Sequence, residues 1–518
     1  MANKRYLYFL LFLSAVSLGG AYLVYRATSI AGSGVSADGA IYLSSAANLL
    51  KGRGLVDLHD LPLTLAPPFY PAFLAFISFI TRADVYLIGW IANLLACGAI
   101  IFLSGILFQR MYPDRMLLAS IGSLVVATST ALINTSASIL SDPFFMLFVI
   151  LFLLEVVALT QDSKWMHIVW MGLLACLASL DRYAGLVLVL CGALFLLYFY
   201  RRRFLRGLVI SALFLISGLP LILWSVYHNY PITGSLFGSY GAASIPGNFN
   251  ASLEKFWYWF VPYGVIKLAT PLGLTGILLL VLIVLNKPAN WQKAFQRLFS
   301  DAGFINLIFI LIYLAVLIFN TSYFDTRDLF FERYHIILLT PLLVVLFAVY
   351  EELIPPRLEA SKLRIKDLVL SVFFLVWLAY PFTRLIQNER DIQSAGGAIY
   401  NSYNFSAIKT STFLKTARSL PAGGKVYSNY EAAAWFYLRR DILSISRVDP
   451  KSKQVDPDSL RRFRKSIGAA GGGYLIWFET INYRDTLPSL DQLNQEIQMK
   501  PVFTSDVGDI YYIVSNSP

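Results

Sequence analysis

Of the 518 residues, 57% are hydrophobic and only 14% charged, against roughly one quarter charged in a soluble domain. With a mean hydropathy of +0.62, a soluble globular protein is excluded and the chain reads as a polytopic α-helical membrane protein. The formal net charge of +11 does not point to nucleic acid, because the basic residues fall mostly in short loops between apolar runs, where they set orientation.

Lys4 and Arg5 precede an apolar run from Tyr6 to Tyr25. That run can cross a hydrocarbon core of about 30 Å, whereas a secretory h-region needs only about 7–15 residues, so a retained first helix is expected. Next comes SADGAIYLSSAANLLKGRGL, beginning at Ser36. Ser36 suits a helix N-cap, Asp38 the first turn, and Gly52 and Gly54 the stop. Asp38 and Tyr42 are four residues apart, which puts carboxylate and phenol on one helix face. The PPFYP that follows begins an interfacial or re-entrant helix, with proline in its first turn.

Apolar runs of spanning length recur at about 6–26, 85–108, 116–133, 140–160, 166–181, 183–200, 207–227, 265–285, 303–320, 334–350 and 367–384, which makes about eleven spans. Taken as one helix, 166–200 would be about 52 Å long, with Asp181 and Arg182 at its middle at a cost on the order of 3 kcal/mol per charge. A turn at DRY avoids that cost. The same reasoning splits 116–160 at NTSASILSDP, where Asp142 and Pro143 mark a helix start.

With these spans, Lys4/Arg5, Arg110/Arg115, Lys164, the RRRFLR block, Lys287/Lys293/Arg297 and Arg357/Lys362/Arg364/Lys366 share one side. The positive-inside rule makes that side cytoplasmic. The N-terminus is then inside, and the Asp38 loop and the C-terminal segment are extracytoplasmic. The outer loops also receive Asp142, DRY at 181–183, an aromatic-rich loop at 228–264, and NTSYFDTRDLFFERY with Asp325, Arg327, Asp328, Glu332 and Arg333.

Beyond about 385 the long apolar runs stop. GKVYSN, ILSIS, GGYLIWF and DIYYIV read as short strands, and EAAAWFYLRR, 458–467 and 489–498 as helices, so 386–518 is expected to be a small soluble α/β domain after a membrane domain at 1–385. AAGGG at 469–473 precedes a strand and no helix, so it reads as a turn and not a dinucleotide fingerprint. Cys97, Cys176 and Cys191 lie inside apolar runs without CxxC spacing, which indicates neither a zinc site nor a disulfide framework.

DGAIYLSSAANLLKGRG followed by PPFYPAFLAF resembles the GT-C membrane glycosyltransferases, in particular the branch of the protein O-mannosyltransferases and the bacterial lipid A aminoarabinose transferase. SDPFFMLF at 141–148, DRYAGLVL at 181–188, NYPITGSLFG at 229–238 and ERYHIILLTPLL at 332–343 are similar in order and placement. The likeness covers about residues 1–385 through short motifs. It implies a polyprenyl-phosphate-linked sugar as donor, a glycan, lipid or protein as acceptor, and transfer with inversion at the outer face of the cell membrane.

Such a reaction needs a carboxylate to take the acceptor proton and cations to stabilise the departing phosphate. Asp38 fits the first role, though an acid in a first turn also serves as an ordinary cap. Arg333 is the first choice for the phosphate, then Arg182, with Lys51 and Arg53 in reserve; each could instead snorkel to headgroups. Tyr42 orients or packs against Asp38, and Tyr334, His59 and His228 are supporting candidates. The O-mannosyltransferases tend to carry a second acid directly after the first, and here that position is Gly39. Asp142 is then the candidate second carboxylate, and a divalent cation shared by Asp38 and Asp142 is left open. A transporter or flippase would show internal repeats and midplane charges; neither is found. A membrane scaffold with an outer binding domain stays as the other alternative.

Overall fold

The structure, a computed structural model, describes residues 2–236, 245–285, 287–323, 332–353, 365–394, 406–448, 454–479 and 487–515. Asp325, Arg327 and Asp328 lie outside the described residues. The chain gathers into two compact units, a helical one of Met1–Ala27, Thr64–Tyr70 and Ile91–Asp391, and a second of Thr28–Leu63, Pro71–Trp90 and Ile392–Pro518. The second therefore joins the loop that follows the first helix to the C-terminal segment.

Among the described residues, six helices are long and apolar enough to cross a membrane: Lys4–Thr28, Val85–Met111, Asp142–Asp162, Arg201–Thr233, Asp301–Asn320 and Glu332–Leu353. Two bent pairs, Met116–Ala127 with Thr130–Ser136 at 54° and Pro271–Ile283 with Pro288–Leu298 at 118°, bring the number up to eight. The other expected runs, 166–181, 183–200 and 367–384, also lie on helix, but in shorter pieces. Trp165–Asp181, with 17 residues, reaches only about 26 Å.

The charged turn falls where a central charge in an apolar helix would be costly. Trp165–Asp181 ends at Asp181, Arg182 is extended at φ −146° and ψ 140°, and a 3-10 turn, Tyr183–Gly185, leads into Leu186–Phe199. The reversal is tight enough that a Cβ on Gly185 would stand 2.2 Å from the backbone of Ala178. Asp142–Asp162 likewise starts at the expected acid, with Ser141 at the N-cap position and proline in the first turn. Large side chains fill the interior of this unit, among them the fully buried Phe145, Phe152 and Phe195.

In the second unit, helix Ala37–Leu50 begins at the expected N-cap, whose hydroxyl accepts from the Gly39 amide at 3.4 Å. It ends before Gly52 and Gly54, whose positive φ values of 76° and 84° suit glycine. Helix Phe69–Thr81 carries Pro71 in its first turn. The C-terminal part forms a five-stranded sheet of β1 (Val426–Ser428), β2 (Leu443–Ser444), β3 (Gly473–Phe478), β4 (Ile497–Phe503) and β5 (Gly508–Ser515) in the order β2-β1-β3-β5-β4. The first three strands pair in parallel and the last two pair antiparallel. Its core is Tyr427, Ile445, Phe463, Ile467, Leu475, Leu493, Ile497 and Ile513.

Four strands are those expected. The fifth, β4, replaces the end of the helix expected at 489–498, since that helix stops at Glu496. Its Pro501 is tolerated because β4 is an edge strand. A Gly185→Ala substitution should collapse the yield of monodisperse protein in detergent. Gly19→Ala, where an added Cβ meets nothing within 4 Å, should leave the elution profile unchanged.

Candidate functional site

In the helical unit, the chemistry-bearing residues collect around Asp142. Its side chain is completely buried, and its Oδ2 accepts from Arg182 Nη1 at 2.6 Å. The same nitrogen reaches the Ser141 hydroxyl at 3.4 Å. The loop that delivers Asp142 is held by Asn93, whose amide donates to the carbonyls of Ser138 at 2.7 Å and Leu140 at 3.0 Å. Asn93 in turn accepts from the Tyr70 hydroxyl at 3.1 Å, and both residues are fully buried. This clamp was not anticipated, although one asparagine within the apolar WIANLLACGAIIF is a signal, because a polar side chain there is expensive unless it is used.

Asp181, which the sequence marks only as a turn residue, is also buried, at 1% exposure. Among the described residues, neither of its carboxylate oxygens, nor Oδ1 of Asp142, meets a hydrogen-bond partner. Arg182 and Asp142 are the charges that act on Asp181. Asp142 thus has a guanidinium as its counter-charge, and among the described residues no group of three or more His, Cys, Asp or Glu is disposed to hold a metal ion.

A second guanidinium joins through Tyr334. The Arg182 guanidinium lies 5.7 Å from the centre of the Tyr334 ring and that of Arg333 lies 4.7 Å from it. Arg333 Nη2 also donates to the Tyr334 hydroxyl at 2.7 Å. Tyr313 fixes the backbone here by donating to the Tyr334 carbonyl at 3.1 Å. Arg333 is 6% exposed, so it lies well inside the protein and not at a snorkelling position. The neighbouring Glu332 is engaged by Arg384 at 3.3 Å, and His335 Nε2 meets the Ser252 hydroxyl at 3.0 Å. Two guanidinium groups thus gather about one phenol, and a guanidinium is chemically suited to hold an oxyanion.

His228 is used differently. It sits in the π-helical turn Ser225–Asn229, stacked on Trp224 at 4.1 Å, with Nδ1 3.2 Å from the Asn229 side chain. Asn229 donates to the Tyr183 hydroxyl at 2.8 Å, and that hydroxyl donates to the Thr64 carbonyl at 3.0 Å.

Asp38 and Tyr42 belong to the other unit. Asp38 is half-buried in the first turn of Ala37–Leu50, and Tyr42, one turn on, is 7% exposed. Lys51 caps the far end of that helix, about 20 Å along the axis from Asp38, and is exposed. Arg53, also exposed, pairs with Asp441 at 3.4 Å and Asp60 at 3.9 Å. His59 is half-buried, and its backbone N–H donates to the Asp57 carboxylate at 2.8 Å. The reserve cations are therefore far from Asp38, because a straight helix separates them.

No protein-family model matches the chain, and no curated protein matches it. Among solved structures it is similar to ArnT from Cupriavidus metallidurans bound to undecaprenyl phosphate, with a TM-score of 0.58 and 12% identity over 97% of each chain. The fold is that of the GT-C glycosyltransferases. The Archaeoglobus fulgidus oligosaccharyltransferase tethered with an acceptor peptide containing the NVT sequon is similar with a TM-score of 0.52 and 12% identity, over 90% of this chain and 69% of that one. The likeness to ArnT runs past residue 385, where the sequence motifs end, and takes in the C-terminal sheet.

Substituting Arg182→Ala should destabilise the protein by about 3–5 kcal/mol, because it strands the buried Asp142 carboxylate without its partner. The double variant Asp142→Asn/Arg182→Gln should recover at least half of that loss. Thermal unfolding in detergent or nanodiscs measures both.

Proposed function

We propose that the chain is an integral-membrane glycosyltransferase that moves a sugar from a polyprenyl-phosphate-linked donor to an acceptor hydroxyl at the extracytoplasmic face. The observation that carries this reading is the Arg182–Tyr334–Arg333 group, with Arg333 buried and Arg182 and Tyr334 half-buried, in a chain with the GT-C fold. Positive charge inside a membrane protein is expensive and marks a functional site, and a phosphate-linked lipid is an anion that such charge can hold. The undecaprenyl phosphate bound in ArnT supports the same donor class for this chain.

In the proposed reaction, the acceptor oxygen attacks the anomeric carbon from the face opposite the phosphate. The carbon–oxygen bond to the phosphate breaks, and the configuration inverts. Asp38 takes the acceptor proton, and Arg333 and Arg182 stabilise the charge that accumulates on the departing polyprenyl phosphate. Asp142 orients Arg182 through their ion pair, and Tyr334 spaces the two guanidinium groups. Tyr42 supports Asp38 from the next turn. The reading keeps residues 1–385 as the transmembrane catalytic region and 386–518 as an extracytoplasmic domain, with the N-terminus cytoplasmic. The acceptor class, glycan, lipid or protein, and a divalent cation at the carboxylates stay open within it.

Asp38→Asn should lower transfer by about 10²–10⁴-fold, the usual contribution of a general base, while the protein still inserts and unfolds at the wild-type temperature. Mass spectrometry of lipids that co-purify in mild detergent should find a polyprenyl phosphate or its glycosylated form with the wild type and a depleted signal with Arg333→Ala. Bulk phospholipid alone in both samples would leave the scaffold or transport reading in its place, and full transfer by Asp38→Asn would remove Asp38 as the base.

A further inference from the structure

We infer that the C-terminal domain is a positioning element for the helix that carries Asp38. This inference rests on the reading of Asp38 as the proton acceptor. Helix Ala37–Leu50 has 14 residues, a length at which an isolated helix is marginal in water. Its order and pose must come from what it packs against. It packs against helix Glu431–Leu438, which follows β1 in the sheet. That second helix is rich in small side chains, with Ala432, Ala433 and Ala434 in a row, and it buries Trp435, Phe436 and Tyr437. The Ala37–Leu50 helix also buries small side chains, at Gly39, Ala40, Ser44, Ser45 and Ala46, beside the larger Tyr42, Leu43 and Asn48.

Three further ties hold the chain on either side of the helix. Upstream, Lys409 Nζ donates to the Ala31 carbonyl, in the segment that leads to the Ser36 cap. The Tyr86 ring stands 5.6 Å from that of Phe436, and the Tyr86 hydroxyl donates to the Ser33 carbonyl at 2.9 Å, so Phe436 is linked through Tyr86 to a point three residues before the cap. Downstream, Arg53 meets Asp441 at 3.4 Å. The supporting helix is itself anchored. The Asn429 side chain exchanges a pair of hydrogen bonds with the Phe478 backbone, at 3.0 and 2.9 Å, and the Ser428 hydroxyl donates to the Ile476 carbonyl at 2.9 Å. Asp38 thus stands on a short helix whose N-terminal approach, flank and exit are each fastened to the C-terminal domain. A displacement of about 1 Å at a reacting group can cost about 10²-fold in rate, so these ties place Lys409, Tyr86 and Phe436 as positioning residues that touch no substrate.

The test is hydrogen–deuterium exchange on the full-length protein in nanodiscs, with in-cell formation of the glycosylated product as second readout. Lys409→Met and Phe436→Ala are expected to raise exchange over residues 31–50 by about tenfold or more and to lower product formation. Exchange in β3 and β5 should stay at the wild-type level, which shows that the domain is still folded, and Lys409→Arg should restore both readouts. Tyr86→Phe, which removes only the hydroxyl, should raise exchange around Ser33 alone. Unchanged exchange over 31–50 in both Lys409→Met and Phe436→Ala would overturn the inference, whatever the activity. Raised exchange alongside a fully active Asp38→Asn protein would remove the catalytic reading, and with it any reason to position that helix.

Discussion

A carboxylate with no exposed surface, met at 2.6 Å by the Arg182 guanidinium, is the contact on which the helical unit depends. Asp142 could not be buried as a carboxylate without Arg182, because an uncompensated charge in a low-dielectric interior costs several kcal/mol. The pair therefore dictates that two turns of the chain meet: the one that opens Asp142–Asp162, and the one at Arg182 between Trp165–Asp181 and Tyr183–Gly185. Asn93 and Tyr70 complete the constraint by holding the backbone ahead of Asp142. From there the contacts extend through Tyr334 to Arg333, which gathers two guanidinium groups from separate stretches of sequence about one phenol.

The second unit obeys a different constraint. A short helix with an acid in its first turn is stable only if something covers it, and here the C-terminal sheet domain supplies the cover. The parallel pairing of β1 with β3, closed by Asn429 and Phe478, sets the start of helix Glu431–Leu438, and that helix meets the Asp38 helix. A domain that looks like an appendage along the chain is thus continuous in packing with the loop that follows the first membrane helix.

Much of this is legible in the sequence. Ser36, Asp38, Gly52 and Gly54 specify a helix start and stop through local backbone chemistry, and the turns at Asp142 and at DRY follow from the cost of charge within an apolar run. The GT-C likeness could be read from short motifs because they mark those same turns. Other features were hidden. Asn93 and Asp181 look like isolated polar residues until their surroundings are known, and β4 was masked by a polar, proline-containing stretch characteristic of an edge strand. Lys51 was a reserve cation for the phosphate, and the helix that it ends sets it about 20 Å along the axis from Asp38.

The sequence by itself determined the class of protein, the helix starts at Ser36 and Asp142 and the turn at DRY, and the residue types available for chemistry. These depend on local quantities: apolar length against bilayer thickness, capping propensity, and the price of a charge in hydrocarbon. Only the tertiary structure decided which charges answer one another. That Arg182 faces Asp142, that Arg333 shares Tyr334 with it, and that Lys409 reaches back to Ala31 are outcomes of packing between segments 40 to nearly 400 residues apart, where no local rule of spacing applies.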